Sequence, residues 1–129
     1  MRALVCLLAL TTAAPLAAQS MDCDDPADTV EINYCMERFY QESDAELNAA
    51  YALAMDQARR LDSYDLREPS NVALMRDAQR KWITFRDAAC EAESTLTRGG
   101  TMQTQLYLGC MERLSRVRAE DLQYYGEGF

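Results

Sequence analysis

Gln79-Arg80-Lys81-Trp82-Ile83-Thr84-Phe85-Arg86-Asp87-Ala88-Ala89-Cys90, followed by Gly99-Gly100-Thr101 and then Cys110, is the stretch whose reading decides the fold. Its first block carries apolar residues at helical steps and reads as one amphipathic helix. The glycine pair breaks that helix, and a second helical stretch carries Cys110. Each cysteine lies about ten residues from the break, so folding the two helices into a hairpin brings the thiols level, within reach of a disulfide. The spacing therefore points to a helical protein stapled by cystine.

Working outward, the pattern predicts an all-α fold of three antiparallel helices. The first begins near Asp28, where Asp28 and Glu31 have capping-box spacing. Its seam runs through Met36, Tyr40, Asp44, Leu47, Tyr51, Ala54, Ala58 and Leu61. Residues 62–69 break the pattern, ending in Glu68-Pro69, and read as a loop. Ser70 is the expected N-cap of the second helix, which is expected to bury Met75, Ala78, Trp82, Phe85, Ala89 and Leu96. Thr101 is the expected cap of the third, offering Leu106, Cys110, Leu114 and Val117 to the core. Short connections favour an up-down-up bundle. Cys35-Met36-Glu37-Arg38-Phe39 echoes Cys110-Met111-Glu112-Arg113-Leu114, which reads as two helix faces built alike rather than as a repeat.

The amino terminus carries an export signature. Met1-Arg2 precedes a short apolar run from Ala3 to Ala14, and small residues then permit cleavage after Ala18 or Ser20. That run is shorter than the roughly 20 residues a bilayer span needs. Neither Cys6 nor Cys23 follows the Leu-small-small sequence of a lipoprotein signal, so no membrane anchor is expected. The expected organisation is thus a leader over 1–20 and one helical domain over 21–129. Removing the leader removes Cys6 and leaves Cys23, Cys35, Cys90 and Cys110, an even set with three possible connectivities. The favoured pairs are Cys23–Cys35 and Cys90–Cys110, each closing a short loop for about 3 kcal/mol in the chain-entropy model. A zinc site is the competing use of four cysteines, but their spacings are far from paired C-x2-C and the chain has no histidine. No metal and no cofactor is expected.

The net charge of −8 comes from 21 acidic and 13 basic residues. Loss of Arg2 with the leader takes it to about −9. Nucleic acid and anionic membranes need basic patches, so neither is an expected partner. A strongly basic protein would be steered toward such a surface, although acidity also simply keeps an exported protein soluble. Several polar residues fall on the apolar faces. Asp44 and Asn48 lie on the seam of the first helix, Gln79 and Arg86 flank Trp82, and Arg118 borders Val117 and Leu122. A carboxylate near a helix interface needs a partner, and an arginine fork supplies one. Asp44 is therefore expected to pair with Arg86 or, failing that, with Arg118. Glu42 and Glu46 share a helix face, as paired acids of a hydrolase would, yet such pairs are commonly solvated surface. With no histidine, no activated serine and no free thiolate, no catalytic residue is assigned and an enzyme is not expected.

Taken together, Glu31-x-Asn33-x-Cys35, Asp44-x-x-Leu47-Asn48-x-x-Tyr51, Gln79-Arg80-x-Trp82-x-x-Phe85-Arg86-Asp87-x-x-Cys90, Gly99-Gly100-Thr101, Cys110 and Arg118 resemble the LprI-type lysozyme inhibitor N-terminal domain family. The resemblance spans about Cys23 to Leu122. Thr101 stands where the family usually has serine, and Ser115 where it usually has threonine; both keep a hydroxyl. The resemblance implies an exported, periplasmic or secreted protein that binds lysozyme and occludes its saccharide cleft. The acidic surface suits the basic, chicken-type enzyme. The quoted motif residues read as framework. Contact is then expected at a loop, either Arg98-Gly99-Gly100-Thr101 or residues 63–69. The other reading left open is an interaction module of the cell envelope that never meets lysozyme. Oligomeric state is open too, because a leftover apolar stripe would allow pairing.

Overall fold

The first helix, α1, runs unbroken from Thr29 to Asp62. It starts where it does because the Asp28 carboxylate accepts from the Val30 and Glu31 amides at 2.8 and 2.9 Å. Glu31 reaches back to the Ala27 amide, one residue beyond the usual capping-box partner. This is a computed structural model, and it describes residues 21–128. The leader reading for residues 1–20 lies outside the described residues.

The chain is all-α. Asn71–Ser94 forms α2, a single 3-10 turn follows over Thr95–Thr97, and Gln103–Glu127 forms α3. Two disulfides, Cys23–Cys35 and Cys90–Cys110, close as the spacing suggested. The first clasps the amino-terminal arm to the overhang of α1, and the second staples α2 to α3. The Ser70 hydroxyl accepts from the Ala73 amide and caps α2. A second cap was not legible in sequence: Asp62, the last residue of α1, accepts from the Asn71 and Val72 amides at 2.7 and 3.1 Å. One carboxylate therefore ends one helix and begins the next.

Helix order is up-down-up, so α1 and α3 run parallel, with α2 antiparallel to both. The α1–α3 contact is the most extensive in the molecule. It keeps nearly constant register, with Met36 beside Gly109, Glu46 beside Arg116 and Ala54 beside Gly126. Small residues set its spacing. Ser43, Ala50, Ala54 and Ala58 of α1 are buried along with Ser115 and Ala119 of α3. A Cβ added at Gly126 would lie 3.1 Å from the Ala54 backbone nitrogen, so the two backbones ride almost in contact. Larger apolar groups then fill in around this seam. Leu47 and Leu122 pack with Tyr51, Met75, Trp82 and Tyr125 in one cluster, and Met111 packs with the Cys90–Cys110 bridge, Tyr40 and Tyr107 in another.

Three sequence expectations fail. Phe85 and Leu96 are 60% and 80% exposed, and Ala78 and Val117 also face outward. Helix α2 instead buries Gln79, Arg86, Cys90 and Ser94, a face rotated by roughly a quarter-turn from the apolar stripe. The physical cause is the pair of anchors Arg86 and Cys90, which must both point inward. Leu96 falls in the 3-10 turn rather than in α2. Thr101 does not cap α3 either; Met102 occupies that position without a side-chain bond. The Gln103 side chain instead braces the preceding turn, accepting from the Gly99 amide at 3.0 Å.

Overpacking the seam tests its tightness. Ala54 is fully buried, so Ala54→Leu is expected to cost about 1–3 kcal/mol. Thermal melts of the oxidised protein would read this as several degrees, whereas Leu66→Ala in the exposed loop should leave the melt within about 0.5 kcal/mol.

Candidate functional site

Asp44, Gln79, Arg86, Asp87 and Arg118 of the sequence motif converge in a single layer between the two apolar clusters. Arg86 is 8% exposed. Its Nη1 donates to Asp44 and to the Ser115 hydroxyl, both at 3.4 Å, and its Nε donates to Asp87 at 2.9 Å. The guanidinium plane lies between aromatic rings, 5.9 Å from the Tyr40 centroid and 5.3 Å from that of Trp82. Arg118 lies 6.0 Å from the Trp82 centroid and donates from Nε to Gln79 at 3.1 Å. Stacking and fork bonding together are what an arginine does and a lysine does not. Burial pushes the Tyr40 phenol above its ordinary pKa, partly offset by Arg86.

All three helices contribute to this layer. Asp44 comes from α1, Gln79, Trp82 and Arg86 from α2, and Ser115 and Arg118 from α3. Asp44 pairs with Arg86, and Arg118 goes instead to Gln79, with Asp121 at 4.0 Å. Asn48 is exposed and donates to Asp44 at 3.0 Å, holding that carboxylate from its own helix. Leu47 and Tyr51 belong to the apolar cluster beneath. Phe85 does not join the layer. Each polar group here is bonded to another, an arrangement that fixes helix register. Ser115 was noticed only as a hydroxyl substitution, yet it is fully buried against Arg86.

The surface features lie at the ends of the bundle. Arg98-Gly99-Gly100-Thr101 is wholly exposed. Gly99 has φ = 78°, a conformation that suits glycine. The Gly100 amide donates to Thr97 at 2.9 Å and the Gln103 amide to Gly100 at 3.2 Å. With Gln103 at its neck and the Cys90–Cys110 bridge at its base, the turn is held in one shape. A cleft of about 460 Å³ opens beside it, lined in part by Glu37, Glu91, Gln103 and Tyr107. At the other end, residues 63–69 present Tyr64 and Leu66, both strongly exposed. The Arg67 guanidinium holds the Asp65 carboxyl at about 2, well below the ordinary value. Among the described residues no cluster of three or more carboxylates or thiols forms a metal site, and no helix is long and apolar enough to cross a membrane.

The protein is thus a small three-helix bundle stapled by two cystines, with the central polar residues of its motif bonded to one another. Its disulfides fit an oxidising compartment outside the cytoplasm. The chain belongs to the lysozyme inhibitor LprI family, which it matches over residues 22–122. Membership in a family of inhibitors implies a protein that acts by binding rather than by catalysis. It is 34% identical over 125 residues to an uncharacterized protein of Rhizobium meliloti (strain 1021), covering 94% of this chain and 90% of that one. It is 29% identical over 108 residues to the uncharacterized protein YecT of Escherichia coli (strain K12), covering 79% and 67% respectively. No solved structure matches.

Removing either member of the central ion pair is expected to have unequal effects. Arg86→Ala empties the space between Tyr40 and Trp82 and should cost about 2–4 kcal/mol. Asp44→Ala leaves Arg86 bonded to Asp87 and Ser115 and should cost about 1 kcal/mol. Arg86→Lys should not restore stability, because it loses both fork and stacking. Denaturant titrations of the three variants check the order.

Asp62 gives the pH dependence. Partial desolvation raises its pKa, but the Val72 and Asn71 donors outweigh this and hold it below 3.8. A carboxyl with a depressed folded pKa contributes stability above its unfolded pKa, which is lost as pH falls through the folded one. Asp62→Ala should therefore lower the melting temperature at pH 7, and the difference from the parent should shrink as pH drops below 3.8.

Proposed function

We propose that this chain is a periplasmic or secreted inhibitor that binds a basic, chicken-type lysozyme and occludes its saccharide cleft. Family membership over residues 22–122 is the observation that carries the reading. The net charge of −8 supports it, since an acidic surface speeds encounter with a basic enzyme. Contact is assigned to the turn Arg98–Thr101 and the cleft beside it. Exposure, small side chains and a fixed backbone suit this turn to enter a groove, and a turn already ordered loses little entropy on binding. Glu37, at the cleft wall, supplies a carboxylate for a basic side chain on the enzyme. The loop over residues 63–69 is the weaker choice, because its two acids are already engaged, Asp65 with Arg67 and Glu68 with the Ser70 amide.

The test is a lysis assay on a bacterial wall suspension. Oxidised protein from Met21 onward is titrated against chicken-type lysozyme at low and at moderate salt. Stoichiometric inhibition that survives moderate salt is the expected result, with Thr101→Trp or Glu37→Lys weakening it about tenfold or more. Inhibition unmoved by those variants would place the contact elsewhere. No inhibition, or inhibition lost with salt, would leave an envelope interaction module as the function.

A further inference from the structure

The inward turn of Arg86 and Cys90 leaves the apolar side of α2 uncovered. Leu74, Ala78, Phe85, Ala92 and Leu96 are all exposed. At 100° per residue they fall on one stripe, with Leu96 continuing it into the 3-10 turn. Their spacing is mirror-symmetric about Phe85, with steps of four, seven, seven and four. A twofold interface demands this property, because the same patch must be complementary to itself.

Charge has the opposite symmetry about the same point. In an acidic chain, α2 is neutral overall, with four basic and four acidic residues. Its first half carries Arg76, Arg80 and Lys81 against one acid, Asp77. Beyond Phe85, the buried Arg86 apart, it carries Asp87, Glu91 and Glu93 and no base. Laid antiparallel across a twofold at Phe85, Lys81, the charged residue nearest the stripe, comes level with the acidic half of the other copy, where Glu91 is the carboxylate on the same side; Arg76 and Asp87 point away from the contact. The excess negative charge of the molecule stays on the amino-terminal arm and the other helices.

Shape agrees as well. The same twofold brings Leu96 level with Leu74 of the second copy. Leu74, Ala78, Met75 and Tyr125 line a cleft of about 230 Å³ at that end of the stripe, and Leu96 is 80% exposed. An isolated, protruding leucine thus meets a small apolar hollow, twice per pair.

We propose that the protein forms an antiparallel homodimer through α2, with its twofold axis at Phe85 and Leu96 of each copy seated in the Leu74–Tyr125 cleft of the other. The pairing does not depend on lysozyme binding.

Sedimentation equilibrium of the oxidised mature protein, at high-micromolar concentration and moderate salt, should give twice the chain mass. Phe85→Glu and Leu96→Glu should each raise the dissociation constant about 30-fold or more, as loss of a central anchor does. Both positions are exposed, and circular dichroism melts check that the fold is kept. Phe85→Cys, introduced with both native cystines closed, should give a covalent dimer under mild oxidation, because a residue meets its own copy only at a twofold axis. A monomer throughout, or a dimer indifferent to Phe85→Glu, or a dimer that Phe85→Cys does not cross-link, would overturn the proposal.

Discussion

The burial of the Arg86 guanidinium is the constraint on which the rest of this structure depends. A cation at 8% exposure is tolerated only where every donor finds an acceptor and its faces find something polarizable. Meeting that demand takes a carboxylate from α1, a hydroxyl from α3 and rings from α1 and α2. The three helices therefore have one relative placement that works. The Cys90–Cys110 bridge lies one turn along α2 from Arg86 on the same face, so covalent and electrostatic anchors agree on how α2 is turned. The small-residue seam between α1 and α3 is permissive by comparison: alanines let backbones approach, but they discriminate weakly between neighbouring registers. The polar layer supplies that discrimination, as buried polar groups do in other helical assemblies.

A chain that places an arginine where a leucine would pack accepts a smaller apolar core, and here it splits in two. One cluster gathers around Leu47 and Leu122, the other around the Cys90–Cys110 cystine. For a domain of this size the loss matters, since little surface is available to bury. The disulfides offset it by restricting the unfolded chain. Cystines and architecture are thus linked: closed disulfides are what let so small a chain devote its centre to polar groups.

Much of this was legible in sequence, and the exceptions share a cause. Helix number, the Asp28 and Ser70 caps, both cystines and the Asp44–Arg86 pair follow from spacing, because each depends on local geometry or on chemistry with few alternatives. The face of α2 is not legible, since hydrophobic periodicity assumes that apolar residues point inward and polar ones outward. Arg86 reverses that rule, and Phe85 is displaced with it. The Asp62 cap is equally hidden because it lies across a loop, nine residues from Asn71, where no linear pattern reaches. Thr101 does not cap α3 for a similar reason: the path of the glycine turn, not residue preference, places Met102 at the cap position, where no side chain bonds the helix amides. The framework of the candidate site was visible as a motif. Its surface was not, because exposed turns leave no periodic trace.

The cystines also divide the molecule in a way the fold conceals. One ties the amino-terminal arm to α1 and the other ties α2 to α3, so among the described residues only the peptide chain from 63 to 70 joins α1 covalently to the rest. Arg67 in that segment is 88% exposed, an open target for trypsin. A single cut after Arg67 would convert the protein into two separate chains, each already cross-linked within itself. They would be held together by the alanine seam, the arginine layer, the two apolar clusters and the Asp62 cap on α2. The molecule is in effect a split protein awaiting its nick, and reassociation of the two pieces would measure, as a bimolecular constant, the strength of contacts that intact-chain unfolding reports only in sum.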